Sequence, residues 1–236
     1  MKTSRHLEVC FSPALLPFYK TEGKTVVIID IFRASSAICT ALGYGIKEII
    51  PVQTLDEAKT YKDKGFITAA ERDGAVAEGF DFGNSPYAFM EENLRGKSVV
   101  LTTTNCTIAI HEVKNAAEII IAAFSNISAV EKYLRETKND VLLLCAGWKN
   151  RFNLEDSIFA GALVDRVFSE FSIECDSAVA SRSVFNIAKN DIRAYIGESS
   201  HTRRLRHLHI EKDIQYCLLS DQVVGVPYFD GKSIIL

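Results

Sequence analysis

Acids, arginines and hydroxyl side chains recur along this chain in short clusters, each directly behind an apolar run. Asp30-Ile31-Phe32-Arg33-Ala34-Ser35-Ser36 sets a carboxylate, a guanidinium and two hydroxyls close together. A carboxylate ending so apolar a run is costly to bury unless a metal, a partner or a ligand compensates it. Glu71-Arg72-Asp73-Gly74 repeats the combination. Gly79-Phe80-Asp81-Phe82-Gly83-Asn84-Ser85-Pro86 supplies glycines, an amide and a hydroxyl ahead of a proline-led helix start, where free backbone N–H groups suit phosphate. Thr102-Thr103-Thr104-Asn105-Cys106-Thr107 carries more hydroxyl and amide groups than a turn needs. Some satisfy their own backbone as Asx and ST turns, which leaves the others for a ligand. Ser125-Asn126 follows a further apolar run, and Cys145-Ala146-Gly147 precedes Asn153-Leu154-Glu155-Asp156-Ser157, with two adjacent acids at a helix start. Oxygen-only acids beside phosphate donors suit Mg²⁺, which takes one or two carboxylates and leaves positions for substrate and water.

Two other phosphate chemistries are written in the same residues. Cys145 and Arg151 stand in the Cys-x5-Arg spacing of metal-free cysteine phosphatases, with Lys149 and Arg151 placed to lower a thiol pKa. Against it, the loop has one glycine, Trp148 sits where backbone must curl, and Phe152 replaces the usual hydroxyl. Asp30-Ile31-Phe32 echoes the Asp-x-Asp opening of aspartyl-phosphate phosphatases, but Phe32 takes the place of the second acid. Both remain alternatives, as does a non-catalytic protein that binds a small anion.

The elements that must position these groups follow from pattern. Thr25 to Ile31 is a β-branched run without alternation, which predicts a strand buried on both faces of a parallel sheet. Further strands are expected at Leu7 to Phe11, Glu48 to Val52, Ile67 to Ala70, Ser98 to Thr103, Glu118 to Ala122 and Val141 to Cys145. Helices are expected at Ser35 to Tyr44, Leu55 to Lys64, Pro86 to Glu92, Thr107 to Val113, Ile127 to Thr137 and Leu154 to Phe171. Ser85 reads as the N-cap of the helix opened by Pro86. The alternation predicts βαβ units: a three-layer α/β/α fold with a mostly parallel sheet, whose ligands gather at the carboxyl ends of the strands. Beyond about Phe171 the regularity fades into a C-terminal elaboration that ends in short strand-like pieces, Val223 to Tyr228 and Ser233 to Leu236. Within it Arg203-Arg204-Leu205-Arg206-His207 reads as a solvated basic helix face, with a contact to an anionic substrate or a partner subunit as the alternative.

Bulk composition narrows the classes. The 236 residues are expected to form one domain over 1–236, since no Pro/Gly/Ser linker or repeat divides them. With 27 Lys+Arg against 30 Asp+Glu, the balance excludes a dominant nucleic-acid or membrane-surface role. Six cysteines without a CxxC pair read as reduced thiols, and no apolar run reaches the roughly 18 residues of a membrane span, so a cytoplasmic chain is expected.

Together the clusters DIFRASS, ERDG, GFDFGNSP, TTTNCT, CAG and FNLED, in that order, resemble the 2-phosphosulfolactate phosphatase family, with a weaker match at Ser200 to Leu205, Asp213 and Val226-Pro227. The resemblance implies a Mg²⁺-dependent phosphatase that converts (R)-2-phospho-3-sulfolactate to 3-sulfolactate and phosphate, a step of coenzyme M biosynthesis. It also implies a homodimer or higher homo-oligomer, with no nucleic-acid or membrane partner. Asp30, Glu71, Glu155 and Asp156 are then expected to supply the metal carboxylates. Asp30, Arg33, Glu71 and Asp156 are expected to carry catalysis. Arg33 and Arg72 are expected to clamp anionic groups, with Ser35, Ser36, Asn84, Ser85, Thr104, Asn105, Asn126 and Cys145 as further substrate contacts. Cys106 stands where the family has glycine, which predicts a side chain intruding on the ligand or a strained backbone.

Overall fold

The computed structural model describes residues 5–197, 199–205, 208 and 210–236. Of the basic cluster, Arg206 and His207 lie outside the described residues. Strand β1 (Leu7–Cys10), strand β2 (Thr25–Ile29) and strand β3 (Glu48–Pro51) are the first three strands of one sheet. β2 is buried along its whole length, as its β-branched composition demands. Strand β4 (Ile67–Arg72) turns back into the short β5 (Ala75–Val76), and β6 (Ser98–Thr102), β7 (Glu118–Ala122) and β8 (Val141–Cys145) follow.

Two parallel groups result. β1, β8, β2 and β7 lie side by side, and so do β3, β6 and β4. The last two strands, β9 (Tyr228–Phe229) and β10 (Ile234–Ile235), form a hairpin inserted between the groups, giving the order β1-β8-β2-β7-β9-β10-β3-β6-β4-β5. The expected C-terminal elaboration is therefore the centre of the sheet. Three successive antiparallel pairings (β7 with β9, β9 with β10, β10 with β3) set the second group running opposite to the first. Residues that follow β2 and residues at the end of β4 share one cavity.

Helix α1 (Ala34–Gly43) is small-residue-rich and buried from Ala34 to Leu42. Helices α2 (Leu55–Lys62), α3 (Cys106–Glu112), α4 (Ile127–Glu136) and α5 (Leu154–Val167) sit close to their expected ranges and complete the three layers. α3, which follows β6, packs onto β2.

Some expectations need correction. Pro86 opens two short 3₁₀ turns, Pro86–Phe89 and Glu92–Leu94, and Ser85 occupies the cap position without capping. The region after Phe171 is regular: α6 (Asp176–Ala188), α7 (Ile192–Ile196), α8 (Ser200–Leu205) and α9 (Glu211–Cys217) occupy it. α6 escaped notice because its pattern is inverted, with Ala178 and Ser181 buried while Val179 and Ile187 face solvent. It lies so close to α5 that a Cβ on Gly161 would stand 2.0 Å from the Ser181 carbonyl oxygen.

Candidate active site

β2 delivers its carboxylate one residue beyond its end. The loop that follows is held by its own serines: the Asp30 N–H donates to Ser35 Oγ at 2.9 Å, and Ser35 N–H donates back to the Asp30 carbonyl at 2.9 Å. Ser35 Oγ also reaches the Ile28 carbonyl, and Ser36 Oγ donates to the Ile31 carbonyl at 3.0 Å. Both hydroxyls are buried and turned inward, so the expectation that they contact substrate is corrected: they fix the strand-to-helix turn.

That turn aims Asp30, Phe32 and Arg33 into a cavity of about 260 Å³, whose other walls include Glu71, Asp73, Gly74, Asn84, Asn105, Trp148 and His201. Asp30 is buried, 7 % exposed. Burial first, then the neighbouring Glu71 carboxylate, push its pKa up to about 7. Arg33 is equally buried and does not float. Its Nη1 donates to Asp213 Oδ2 at 2.6 Å and its Nη2 to the Gly74 carbonyl, while Asp213 Oδ1 accepts from Ser85 Oγ at 2.8 Å. Ser85 thus serves the site by bracing the acid that braces the arginine.

Glu71 is crowded with donors. Its Oε1 accepts from Gly74 N–H at 2.6 Å, its Oε2 from Thr104 N–H at 3.1 Å, and Thr104 Oγ1 lies 3.1 Å from both oxygens. Thr104 is thereby committed to the acid. Arg72 is corrected as a clamp: its Nη1 donates to the Glu71 carbonyl and its Nη2 to Thr102 Oγ1, and it does not line the cavity. Asn84 does line it. Its side chain is 4 % exposed, and Oδ1 has no partner among the described residues.

The two acids of FNLED part ways. Asp156 Oδ1 accepts from Ile31 N–H at 2.9 Å and Oδ2 from Gly147 N–H at 3.1 Å, tying the loops after β2 and β8 together. Burial, then Glu155 and Asp30, hold its pKa well above the usual carboxylate range. Glu155 is fully buried, and its Oε1 lies 2.5 Å from Nδ1 of His201, a cavity-lining side chain supplied by α8. Its Oε2 has no partner among the described residues. Neither acid faces the cavity, which corrects their direct assignment to metal. Among the described residues, no three His, Cys, Asp or Glu side chains form a ready metal cage.

Three more expectations are corrected. Cys145 is buried outside the cavity, and burial with Asp156 beside it raises its thiol pKa well above the usual value. A thiol held protonated is no nucleophile. Asn126 is consumed by structure, its Oδ1 accepting from Ala123 N–H and its Nδ2 donating to the Ile121 and Gly225 carbonyls. Cys106 neither intrudes nor strains: it begins α3 outside the positive-φ residues, and its buried thiol meets Ser35.

His201 and Asp213 are the participants that sequence reading left out of the site. The match at Ser200 to Leu205 and at Asp213 was the available signal, and both lie in helices that the pattern did not reveal.

A sheet whose strand ends deliver acids and an anchored guanidinium into one cleft, to which α8 adds a carboxylate-braced imidazole, defines an α/β enzyme. The family model described as 2-phosphosulpholactate phosphatase matches residues 10–232. Proteins called probable 2-phosphosulfolactate phosphatase are similar over nearly the whole length. One from Thermotoga petrophila is 41 % identical over 94 % of this chain and 96 % of its own. One from Caldanaerobacter subterraneus is 37 % identical over 86 % and 87 %, and one from Clostridium botulinum 37 % over 90 % and 91 %. The chain belongs to the 2-phosphosulfolactate phosphatase family and is a phosphoric monoester hydrolase.

Proposed function

We propose that the chain hydrolyses (R)-2-phospho-3-sulfolactate to 3-sulfolactate and phosphate with the help of Mg²⁺. One observation carries the metal: among the described residues lining the cavity, the carboxylates of Asp30 and Glu71 stand beside one guanidinium, Arg33, itself already paired with Asp213, while the third acid, Asp73, is paired with Lys149. A phosphate dianion is repelled by such a wall unless a cation joins it. Asp30 and Glu71, with the orphaned Asn84 Oδ1, are an oxygen donor set that fits Mg²⁺ directly or through water. The ion supplies neutralisation of the charge that develops on the phosphoryl oxygens.

The remaining work falls to the protein. Arg33 is held rigid by Asp213 and the Gly74 carbonyl, so the guanidinium meets the phosphoryl oxygens already oriented. The Glu155 carboxylate fixes the orientation of the His201 ring through Nδ1. In this reading His201, lining the cavity, acts as the general base that takes a proton from the attacking water. Asp156 keeps the loops after β2 and β8 in register without touching substrate.

The test is phosphate release from a panel of (R)-2-phospho-3-sulfolactate, 2-phospholactate and 2-phosphoglycolate, with Mg²⁺ and with EDTA. The proposal predicts the highest kcat/KM for phosphosulfolactate and none of it in EDTA. Tight binding without turnover under any divalent metal would make the chain a small-anion binder instead. Turnover that survives EDTA would remove the metal from the account.

A further inference from the structure

Between β8 and α5 the chain makes a tight excursion that sets Trp148 in the wall of the cavity. Trp148 and Arg151 exchange N–H···O=C bonds in both directions at 3.0 Å, and Lys149 and Asn150 between them take positive φ, 48° and 62°. Such a two-residue turn is usually filled by Asn-Gly or Gly-Gly, because a side chain in this region is disfavoured. Gly147 lets it close: a Cβ there would stand 2.2 Å from the Arg151 carbonyl oxygen.

A lysine in so unfavourable a position is held by three contacts with residues of the cavity wall. Its N–H donates to Asn105 Oδ1 at 3.0 Å, its Nζ lies 2.6 Å from Asp73 Oδ1, and the same Nζ sits 4.7 Å from the centre of the Trp148 ring. Asn105, Asp73 and Trp148 all line the cavity. The Lys149 and Asp73 side chains are 51 % and 69 % exposed, so their ion pair is weak and exchangeable. With Oδ1 of Asn105 taken by the Lys149 N–H, the amide of Asn105 keeps its NH₂ as the end available to an acceptor.

Among the described residues lining the cavity, Arg33 is the one guanidinium and is neutralised by Asp213, and Asp30, Glu71 and Asp73 add three carboxylates. A substrate with a second strongly anionic arm needs a cation at the outer end of the site. We infer that Lys149, presented by the Trp148–Arg151 hairpin, is the specificity-determining residue for that arm: the sulfonate displaces Asp73 from the ammonium and settles against Lys149 and the Asn105 amide. The inference rests on the phosphosulfolactate reading above.

The experiment compares kcat/KM for (R)-2-phospho-3-sulfolactate and for 2-phospholactate, which lacks the sulfonate. Lys149→Asn removes the cation while suiting the left-handed backbone, so the hairpin persists; Lys149→Arg restores a cation. Lys149→Asn is expected to lower kcat/KM for the sulfonate substrate by roughly 10–100-fold, the worth of one hydrogen bond to a charged group, and mostly through KM. The 2-phospholactate value is expected to move less than about threefold, and Lys149→Arg to recover the preference. Equal losses on both substrates would show a structural role for the loop, and no loss on either would show no role; both overturn the inference. A wild-type protein without any preference for the sulfonate substrate would overturn the parent reading itself, a result visible before any variant is made.

Discussion

Asp30→Asn is expected to abolish turnover and yet to stabilise the metal-free protein. The folded carboxyl titrates near 7 against an ordinary value of 3.8, because burial and then Glu71 oppose its charge. The folded state therefore holds this proton more tightly than the unfolded state does. Stability falls as pH rises from about 4 to about 7, by about 1.4 kcal/mol per pH unit, and then levels off. The full shift of about 3 units corresponds to roughly 4 kcal/mol of stability lost above pH 7. Asparagine has no charge to desolvate, and its Oδ1 still accepts the Ala34 N–H that the carboxyl accepts now. If half of the penalty is recovered, the gain is about 2 kcal/mol, or roughly 4–8 °C in Tm for a chain of this length. Thermal denaturation of both proteins in EDTA from pH 4 to pH 8.5 reads this directly. The difference should be near zero at pH 4, grow steadily, and reach a plateau above pH 7. A variant less stable at pH 8, or a gain independent of pH, would refute the reasoning about Asp30.

Other outcomes follow from the same geometry. His201→Ala should lower kcat by about 10²–10⁴-fold, the usual range for a lost proton carrier; Glu155→Gln should lower it less and reshape the pH profile of kcat. Steady-state rates across pH 5 to 9 check both, and unchanged profiles would remove the pair from catalysis. Cys145→Ser should keep kcat within about threefold, because the buried thiol has no route to substrate; a phosphate-release assay in which the variant is dead would revive the cysteine mechanism. Asp213→Ala should cost about 3–5 kcal/mol of stability by leaving Arg33 buried without its partner, measurable by urea unfolding.

Much of this site is legible in the sequence because parallel strands put their chemistry at their ends. Asp30, Arg33, Glu71, Asn84 and Asn105 follow or neighbour apolar runs and meet in one cavity. What residue type alone does not reveal is which polar groups the fold consumes. Ser35, Ser36, Asn126 and Asp156 look like ligand groups, yet each satisfies backbone that the loops would otherwise leave unpaired. His201 and Asp213 were hidden for the opposite reason. Their helices bury small or polar residues, so no apolar period announces them, and only the folded chain carries them back to Asp30 and Arg33. The C-terminal hairpin is partly legible: Val223 to Tyr228 and Ser233 to Leu236 read as short strand-like pieces, but strands of two residues carry no period to show that β9 and β10 join the two halves of the sheet.

The central claim is that the Asp30–Arg33 cavity hydrolyses 2-phosphosulfolactate with a bound divalent cation. Phosphate release from (R)-2-phospho-3-sulfolactate in saturating Mg²⁺, by wild type and by Arg33→Ala, tests it most directly. The account predicts turnover by wild type and a kcat/KM about 30–1,000-fold lower in the variant, equivalent to about 2–4 kcal/mol of transition-state stabilisation. Equal turnover by the two proteins would contradict it.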